Sequence, residues 1–172
     1  MKKCLLIFIV VSVLCKTVTA QKKPVYTFRL GATVSFGLSK IAVNEVGIGG
    51  LAGAEKLLDK HFALELETNY TYFTGDKVMY TDGRNKAFSI PVLAGIKIYP
   101  YPNGYFSLRT GAVYFLLNDM PDAKIRLAYG LAGGINLPKK VNRLNLQLGY
   151  TLFQYQRITR GYATLAAAII IN

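Results

Sequence analysis

Apolar and polar residues alternate along most of the chain with the period of two that belongs to β-strands. The first clear run extends from Tyr26 to Leu38, where every even-numbered residue is apolar and every odd-numbered residue is polar or glycine. The same alternation returns in five further runs, at 62–72, 88–98, 106–116, 125–136 and 144–152. A helix, with its period of 3.6, cannot keep two such faces apart, so each run is predicted to form a strand.

Two kinds of connection separate these runs. Short turn signals read "LDKH", "YPNG" and "LPKKVNR", whereas longer polar connections read "FTGDKVMYTDGRNKA", "NDMPDAK" and "QRITRGY". The two kinds alternate along the chain, as in a barrel with short turns at one end and longer loops at the other. With the glycine-rich segment 47–57 as strand two and 162–171 as strand eight, the sequence predicts an all-β fold, an eight-stranded antiparallel up-and-down β-barrel.

The stretch "VGIGGLAGAEKLL" offers a competing interpretation as a nucleotide-binding turn. Gly47, Gly49 and Ala52 have the spacing of the dinucleotide fingerprint, and Glu67 lies about 20 residues further on, where a ribose-binding carboxylate would stand. That fingerprint works only between a parallel strand and a helix whose N-terminal amides face the phosphates. The chain lacks the alternating helical segments of such a fold, so these glycines are predicted to be strand residues.

Alternation alone leaves two kinds of barrel open, a membrane barrel with its apolar face in lipid and a soluble lipocalin-like barrel with its apolar face around a ligand. Eight strands enclose room only for side chains or one small ligand, and here the apolar face carries most of the bulky residues. Aromatic residues on that face also gather toward the strand ends, as expected for the two interfaces of a bilayer. The sequence therefore favours a transmembrane barrel.

Residues 1–20 have the pattern of a cleavable signal peptide. Lys2 and Lys3 precede an apolar run that is too short to span a bilayer, and small residues surround Ala20. Residues 21–172 are then predicted to form one barrel domain. Both cysteines lie in the segment to be removed, which leaves no thiol for a disulfide, a metal or a nucleophile.

The chain is basic, but its charge does not predict nucleic-acid binding. Removal of the signal peptide lowers the formal net charge from +12 to +9, because Lys2, Lys3 and Lys16 are lost. The remaining basic residues are scattered singly, without the dense stripe of a nucleic-acid-binding surface. The one local cluster, Lys139–Lys140 with Arg143, is interpreted as a solvated turn, with phosphorylated lipid head groups or an acidic wall polymer as the alternative contact.

The chain resembles the small outer-membrane β-barrel proteins of Gram-negative bacteria, of the eight-stranded OmpA-type or porin-like kind. The resemblance rests on the signal peptide and on "YTFRLGATVSFGLS", "LAGAEKLLDKHFALELETNYTYF" and "LNLQLGY". It implies an outer-membrane location, contact with outer-membrane lipids and lipopolysaccharide, and an unidentified extracellular or periplasmic protein partner. Such relatives often end on an aromatic residue, whereas this chain ends "AAAIIIN".

No catalytic, cofactor or metal site is predicted. The single histidine, His61, lies in a polar turn, and Asp119 and Asp122 lie in a polar connection. We therefore predict a non-enzymatic barrel with a structural or surface-interaction role, and a narrow pore for ions or small solutes as the alternative. The inward positions Val113, Phe115 and Leu117 of strand five are bulky, which favours a closed lumen.

If the chain starts in the periplasm, six charged residues face inward near the periplasmic ends of their strands. They comprise three bases and three acids, Arg29, Glu55, Glu65, Glu67, Lys97 and Arg109. Charges in a narrow lumen lose much of their hydration, so these six are predicted to form an ionic network.

The same topology assigns an end of the barrel to each connection. It places Asp59 and Asn103 in the periplasm and Asp82 and Arg160 in surface loops. Only the latter two would then be open to a protease outside the cell.

Overall fold

A computed structural model describes residues 26–39, 46–77, 84–117, 120–137, 144–155 and 157–171. Eight strands account for nearly all of them: β1 (Tyr26–Ser39), β2 (Val46–Leu57), β3 (Phe62–Lys77), β4 (Arg84–Ile98), β5 (Gly104–Leu117), β6 (Met120–Asn136), β7 (Leu144–Tyr155) and β8 (Ile158–Ile171). The predicted signal peptide and the residues Asp82, Asp119, Lys139, Lys140 and Arg143 lie outside the described residues.

The eight strands form a closed barrel in which each strand pairs antiparallel with its neighbours in sequence, and β1 closes the ring by pairing with β8. Leu30, for example, lies opposite Ala52 of β2 and Ile169 of β8. The predicted eight-stranded antiparallel up-and-down barrel is therefore confirmed. Among the described residues, no helix is long and apolar enough to cross a membrane.

The two faces of the wall are distributed as the alternation predicts. Large apolar side chains such as Leu30, Ile48 and Leu148 point outward and are more than half exposed, whereas their sequence neighbours point into the lumen. Partly exposed aromatic rings form one belt near each end of the barrel: Tyr26, Phe62 and Phe106 at one end, and Phe36, Tyr72, Phe88 and Tyr114 at the other. Aliphatic residues between two aromatic belts are typical of a surface that faces a bilayer.

We call the end with connections 58–61, 99–103 and 137–143 the turn end, and the end with connections 40–45, 78–83, 118–119 and 156–157 the loop end. The prediction of uniformly longer connections at the loop end is wrong. Strand β6 begins at Met120, inside the predicted loop "NDMPDAK", and β8 begins at Ile158, four residues before the predicted position 162. Two of the loop-end connections are consequently shorter than any at the turn end.

The long connection predicted at 73–87 is also shorter than expected, because β3 continues to Lys77 and β4 begins at Arg84. Arg160, predicted to lie in a surface loop, is a buried residue of β8. The physical reason is the same in each case. Strand pairing continues past the outer surface that lies between the two aromatic belts. Beyond that surface the outward side chains face water and need not be apolar, so hydrophobic alternation no longer predicts the strand.

Gly49 allows close approach of the β2 backbone to β3. A Cβ atom added to Gly49 would lie 1.7 Å from the carbonyl oxygen of Tyr70, which is closer than any non-bonded contact allows. Glycine is therefore required here by packing between neighbouring strands, in agreement with its predicted place in a strand.

Candidate functional site in the barrel lumen

The six charged residues predicted to face inward all lie in the lumen, toward the turn end. They come from five consecutive strands, because Arg29 lies on β1, Glu55 on β2, Glu65 and Glu67 on β3, Lys97 on β4 and Arg109 on β5. Each is no more than 8% exposed. We refer to these six residues as the ionic layer.

Glu67 lies between two arginines. The Nη2 atom of Arg29 donates to Oε2 of Glu67 at 3.2 Å, and Nη1 of Arg109 donates to Oε1 of the same carboxylate. The two arginines approach from β1 and β5, so this one carboxylate connects opposite parts of the wall across the lumen.

Glu65 is close to all three cations of the ionic layer. Its Oε2 atom lies 3.2 Å from Nη2 of Arg29 and 3.4 Å from Nζ of Lys97, and its Oε1 atom lies 3.4 Å from Nε of Arg109. Lys97 also donates to Oε2 of Glu55 at 2.6 Å. Three cations and three carboxylates therefore form one continuous network with no formal excess charge.

Neutral polar side chains from β7 and β5 complete the network. Gln147 donates from Nε2 to Oε1 of Glu67 at 3.0 Å, and its own Oε1 accepts from Nη1 of Arg29 at 3.0 Å. The hydroxyl of Tyr105 donates to the same Gln147 oxygen at 2.8 Å. The sequence interpretation did not include these residues, although Gln147 occupies an inward position of a strand that was correctly predicted.

Aromatic rings cover the ionic layer on the side of the turn end. The Tyr99 hydroxyl donates to Oε1 of Glu55 at 2.5 Å, and Nζ of Lys97 lies 4.2 Å from the centre of the Tyr105 ring. Tyr99, Tyr105 and Ala63 form a buried cluster against which Leu57 packs. Tyr99 follows β4 directly and carries no periodic signal of its own, so the sequence offered little to identify it.

A second, apolar layer fills the lumen toward the loop end. It consists of four rings from four strands, Phe73, Phe115, Phe153 and Tyr162, which we refer to as the aromatic layer. Phe115 and Phe153 have ring centres 5.0 Å apart, and those of Phe73 and Tyr162 are 5.4 Å apart. Arg160 lies over the Phe115 ring, 5.7 Å from its centre.

The prediction that inward positions of β5 are bulky agrees with this layer, since Val113 and Phe115 are fully buried. The side chain of Leu117 is outside the described part of the structure. Phe73 had been assigned to a connection, and Phe153 was not singled out. The prediction of bulky inward residues near the loop end concerned strand five, and the structure adds the rings of Phe73, Phe153 and Tyr162 from three other strands.

His61 lies in the turn between β2 and β3 and is exposed. Its Nδ1 atom is 3.1 Å from the carbonyl oxygen of Tyr99. Oδ1 of Asp59 accepts hydrogen bonds from the backbone N–H groups of His61 and Phe62, and these bonds lower the pKa of the Asp59 carboxyl. Both side chains thus hold the turn in shape. Asp122 lies within β6, with its side chain outside the described part of the structure.

The chemistry available to the ionic layer is limited by its own pairing. Each of its carboxylates contacts at least one cation, so none is a free base, and the layer contains no histidine, serine or cysteine that could act as a nucleophile. Among the described residues, no group of three or more histidine, cysteine, aspartate or glutamate side chains is arranged to hold a metal ion. The geometry supports a structural barrier across the lumen.

Comparisons with solved structures identify the fold. The chain is similar to Ail, the attachment invasion locus protein of Yersinia pestis, with 15% identity, a TM-score of 0.57 and coverage of 85% of this chain and 97% of Ail. It is similar to Neisserial surface protein A, with 15% identity, a TM-score of 0.55 and coverage of 87% and 99%. It is also similar to a de novo designed transmembrane β-barrel, with 14% identity, a TM-score of 0.53 and coverage of 88% and 99%.

No protein-family model matches the chain, and no curated protein matches its sequence. At these identities the structural similarity establishes the fold alone. That fold is the eight-stranded β-barrel of small outer-membrane proteins.

Proposed function

We propose that the protein is a non-enzymatic, integral outer-membrane β-barrel with a largely closed lumen and a structural or surface-interaction role. The observation that carries the proposal is the inverted distribution of side chains. Charged residues such as Arg29 and Lys97 are buried, whereas large apolar residues such as Leu30, Phe106 and Ile169 cover the outer wall. A continuous apolar exterior of this kind is stable in lipid and unstable in water.

The same distribution disfavours a soluble lipocalin-like carrier. Such a barrel keeps its apolar face around the ligand and its polar face in water. Here the lumen contains an ion network and packed rings, and the outer surface supplies the apolar contact area. Acyl chains of outer-membrane lipids, including lipopolysaccharide in the outer leaflet, fit that surface between its two aromatic belts.

Two successive layers oppose a pore function. The ionic layer and its covering tyrosines occupy the lumen near the turn end, and the aromatic layer occupies it near the loop end. An eight-stranded barrel has little space beyond its own side chains, so a conducting path would have to displace both layers.

Cell fractionation tests the proposed location. We expect the mature protein, with residues 1–20 removed, in the outer-membrane fraction, where neither salt nor carbonate extracts it and detergent does. The control is a variant with charges on the outer wall, Leu30→Arg and Leu148→Arg, which is expected to be lost from the membrane because an arginine on the lipid-facing surface near mid-bilayer costs about 2–4 kcal/mol. Recovery of the unaltered protein as a periplasmic monomer without detergent would overturn the proposal.

A further inference from the structure

A groove lies on the outer wall of the barrel, over the part of β2 that is nearer to the turn end. Its volume is about 550 Å³, and the small residues Ala52 and Ala54 line it. Ala54 lies opposite Phe28 of β1 on one side and opposite Leu66 of β3 on the other, and both of these larger side chains also line the groove. We refer to this recess between β1 and β3 as the β2 groove.

One cation lies at the turn-end limit of the β2 groove. Lys56 is the next outward residue of β2 after Ala54, about 7 Å further along the strand. It lies opposite Tyr26, a member of the aromatic belt near the turn end, and its Nζ atom is 5.9 Å from the centre of the Tyr26 ring. Since such belts lie at the bilayer interface, Lys56 is at the depth of the lipid head groups, and the groove extends from it into the apolar region.

Lys56 differs from the other charged side chains that the structure describes within the strands. Charged residues such as Arg29 and Lys97 point into the lumen, whereas Lys56 is the only described one on the outer wall between the two belts. None of the ion pairs among the described residues includes it. The segments 1–25 and 138–143, which adjoin the turn end along the chain, contain no aspartate or glutamate. The protein therefore supplies no carboxylate partner for this ammonium group.

The combination of a charge and an apolar recess matches the chemistry of one phospholipid molecule. An ammonium group at head-group depth attracts phosphate, and each such lysine favours anionic over neutral lipid. An acyl chain in the groove contacts protein on three sides instead of one, which increases its dispersion contacts. The volume of the groove is within the range of about 300–1,000 Å³ that is usual for small-molecule sites.

We infer that the β2 groove and Lys56 form a binding site for one anionic glycerophospholipid in the leaflet at the turn end. The inference rests on the proposed outer-membrane location, in which that leaflet faces the periplasm. Lys56 binds the phosphate, and one acyl chain lies over Ala52 and Ala54, between Phe28 and Leu66. Lipopolysaccharide does not fit this site, because in the proposed orientation it occupies the leaflet at the loop end.

The test measures which lipids contact the groove, with the full mature barrel in nanodiscs of phosphatidylcholine that contain a minor fraction of phosphatidylglycerol. Because the chain has no tryptophan, Phe28→Trp supplies a single fluorescent reporter in the groove. Phe106→Trp is the matched reporter, since Phe106 belongs to the same belt but lies on β5. Brominated acyl chains, placed on one of the two lipids at a time, quench a tryptophan that they contact. We expect phosphatidylglycerol to be preferred about fivefold over random mixing at Phe28→Trp and to be mixed at random at Phe106→Trp.

Three further changes, each made in the Phe28→Trp protein, separate a site from general surface charge. Lys56→Gln keeps the length of the side chain but removes its charge, so the preference for phosphatidylglycerol is expected to disappear. Lys60→Gln removes a charge from the neighbouring exposed turn and is expected to keep most of the preference. Ala54→Leu fills the groove without changing any charge and is expected to lower the preference. Unfolding midpoints in detergent are measured for each variant to show that the barrel is folded.

Several results would overturn the inference. They are the absence of a preference at Phe28→Trp, an equal preference at both reporters, and an equal loss of preference with Lys60→Gln and Lys56→Gln. Stronger quenching at Phe28→Trp by brominated lipopolysaccharide than by phosphatidylglycerol would overturn the choice of lipid. Disulfide-linked dimers of an Ala54→Cys variant in nanodiscs would overturn the inference in favour of a second copy of the chain. Each of these results leaves the fractionation test of membrane location unaffected.

Discussion

Replacement of Glu67 by alanine is expected to lower the free energy of unfolding by about 3–5 kcal/mol, because it removes the acceptor of Nη1 of the buried Arg109 and one of the two carboxylates that pair with Arg29. Glu67 accepts from Arg29, Arg109 and Gln147, and all of these are buried. Arg109→Ala is expected to have a similar effect. The measurement is the thermal or denaturant midpoint of the refolded protein in detergent, where each variant should unfold several degrees lower.

A double-mutant cycle separates direct pairing from general damage. The double variant Glu67→Ala with Arg109→Ala should lose less free energy of unfolding than the two single variants added together. The reason is that neither member of this pair remains buried without the other. Lys56→Ala is the matched control, since Lys56 lies near the same end but on the outer wall, 5.9 Å from the Tyr26 ring centre. If single changes in the ionic layer lower the free energy of unfolding no more than Lys56→Ala does, a paired and buried network is contradicted.

Replacement of Phe153 by alanine is expected to cost about 3–5 kcal/mol, the usual range for removing a buried phenylalanine from a packed interior. Phe153 is 2% exposed and packs against Phe115, with ring centres 5.0 Å apart, and against Tyr162, with ring centres 6.5 Å apart. Its neighbours come from other strands and are fixed by the barrel, so the cavity is not expected to collapse. Unfolding midpoints in detergent measure the loss.

Phe106→Ala serves as the control for this second change. Phe106 is also aromatic, but it faces outward and is 67% exposed. Lipid or detergent chains can occupy the space of the lost ring, so a much smaller effect is expected. Equal losses for the two variants would show that Phe153 does not pack in a closed lumen.

The sequence was most informative where the wall crosses the apolar belt. There, side chains must alternate between a lipid-facing surface and a narrow lumen, so the pattern from Tyr26 to Leu38 predicts the strand and both of its faces. The same alternation assigned Arg29 and Arg109 to the lumen. The two arginines lie at a similar height in the barrel, because each is a few residues from the turn end of its strand.

Other features depend on information that the alternation does not carry. The relative positions of distant strands decide which polar side chain contacts an arginine. Gln147 could therefore be assigned to the lumen from its sequence, but its hydrogen bonds to Arg29 and Glu67 could not be predicted. Beyond the lipid-facing part of the wall the outward side chains face water and need not be apolar, so the alternation stops although the strand continues. For this reason Phe73 was predicted to lie in a connection and the start of β6 in a loop.

Single-channel recording in planar bilayers tests the closed lumen most directly. The refolded mature protein is inserted, and its folded state in the same lipid is checked by its altered gel mobility without heating. The predicted result is a current indistinguishable from the protein-free bilayer, because the ionic layer and the aromatic layer both fill the lumen. Discrete, reproducible conductance steps from the folded, unaltered protein would contradict a closed barrel and would support the pore.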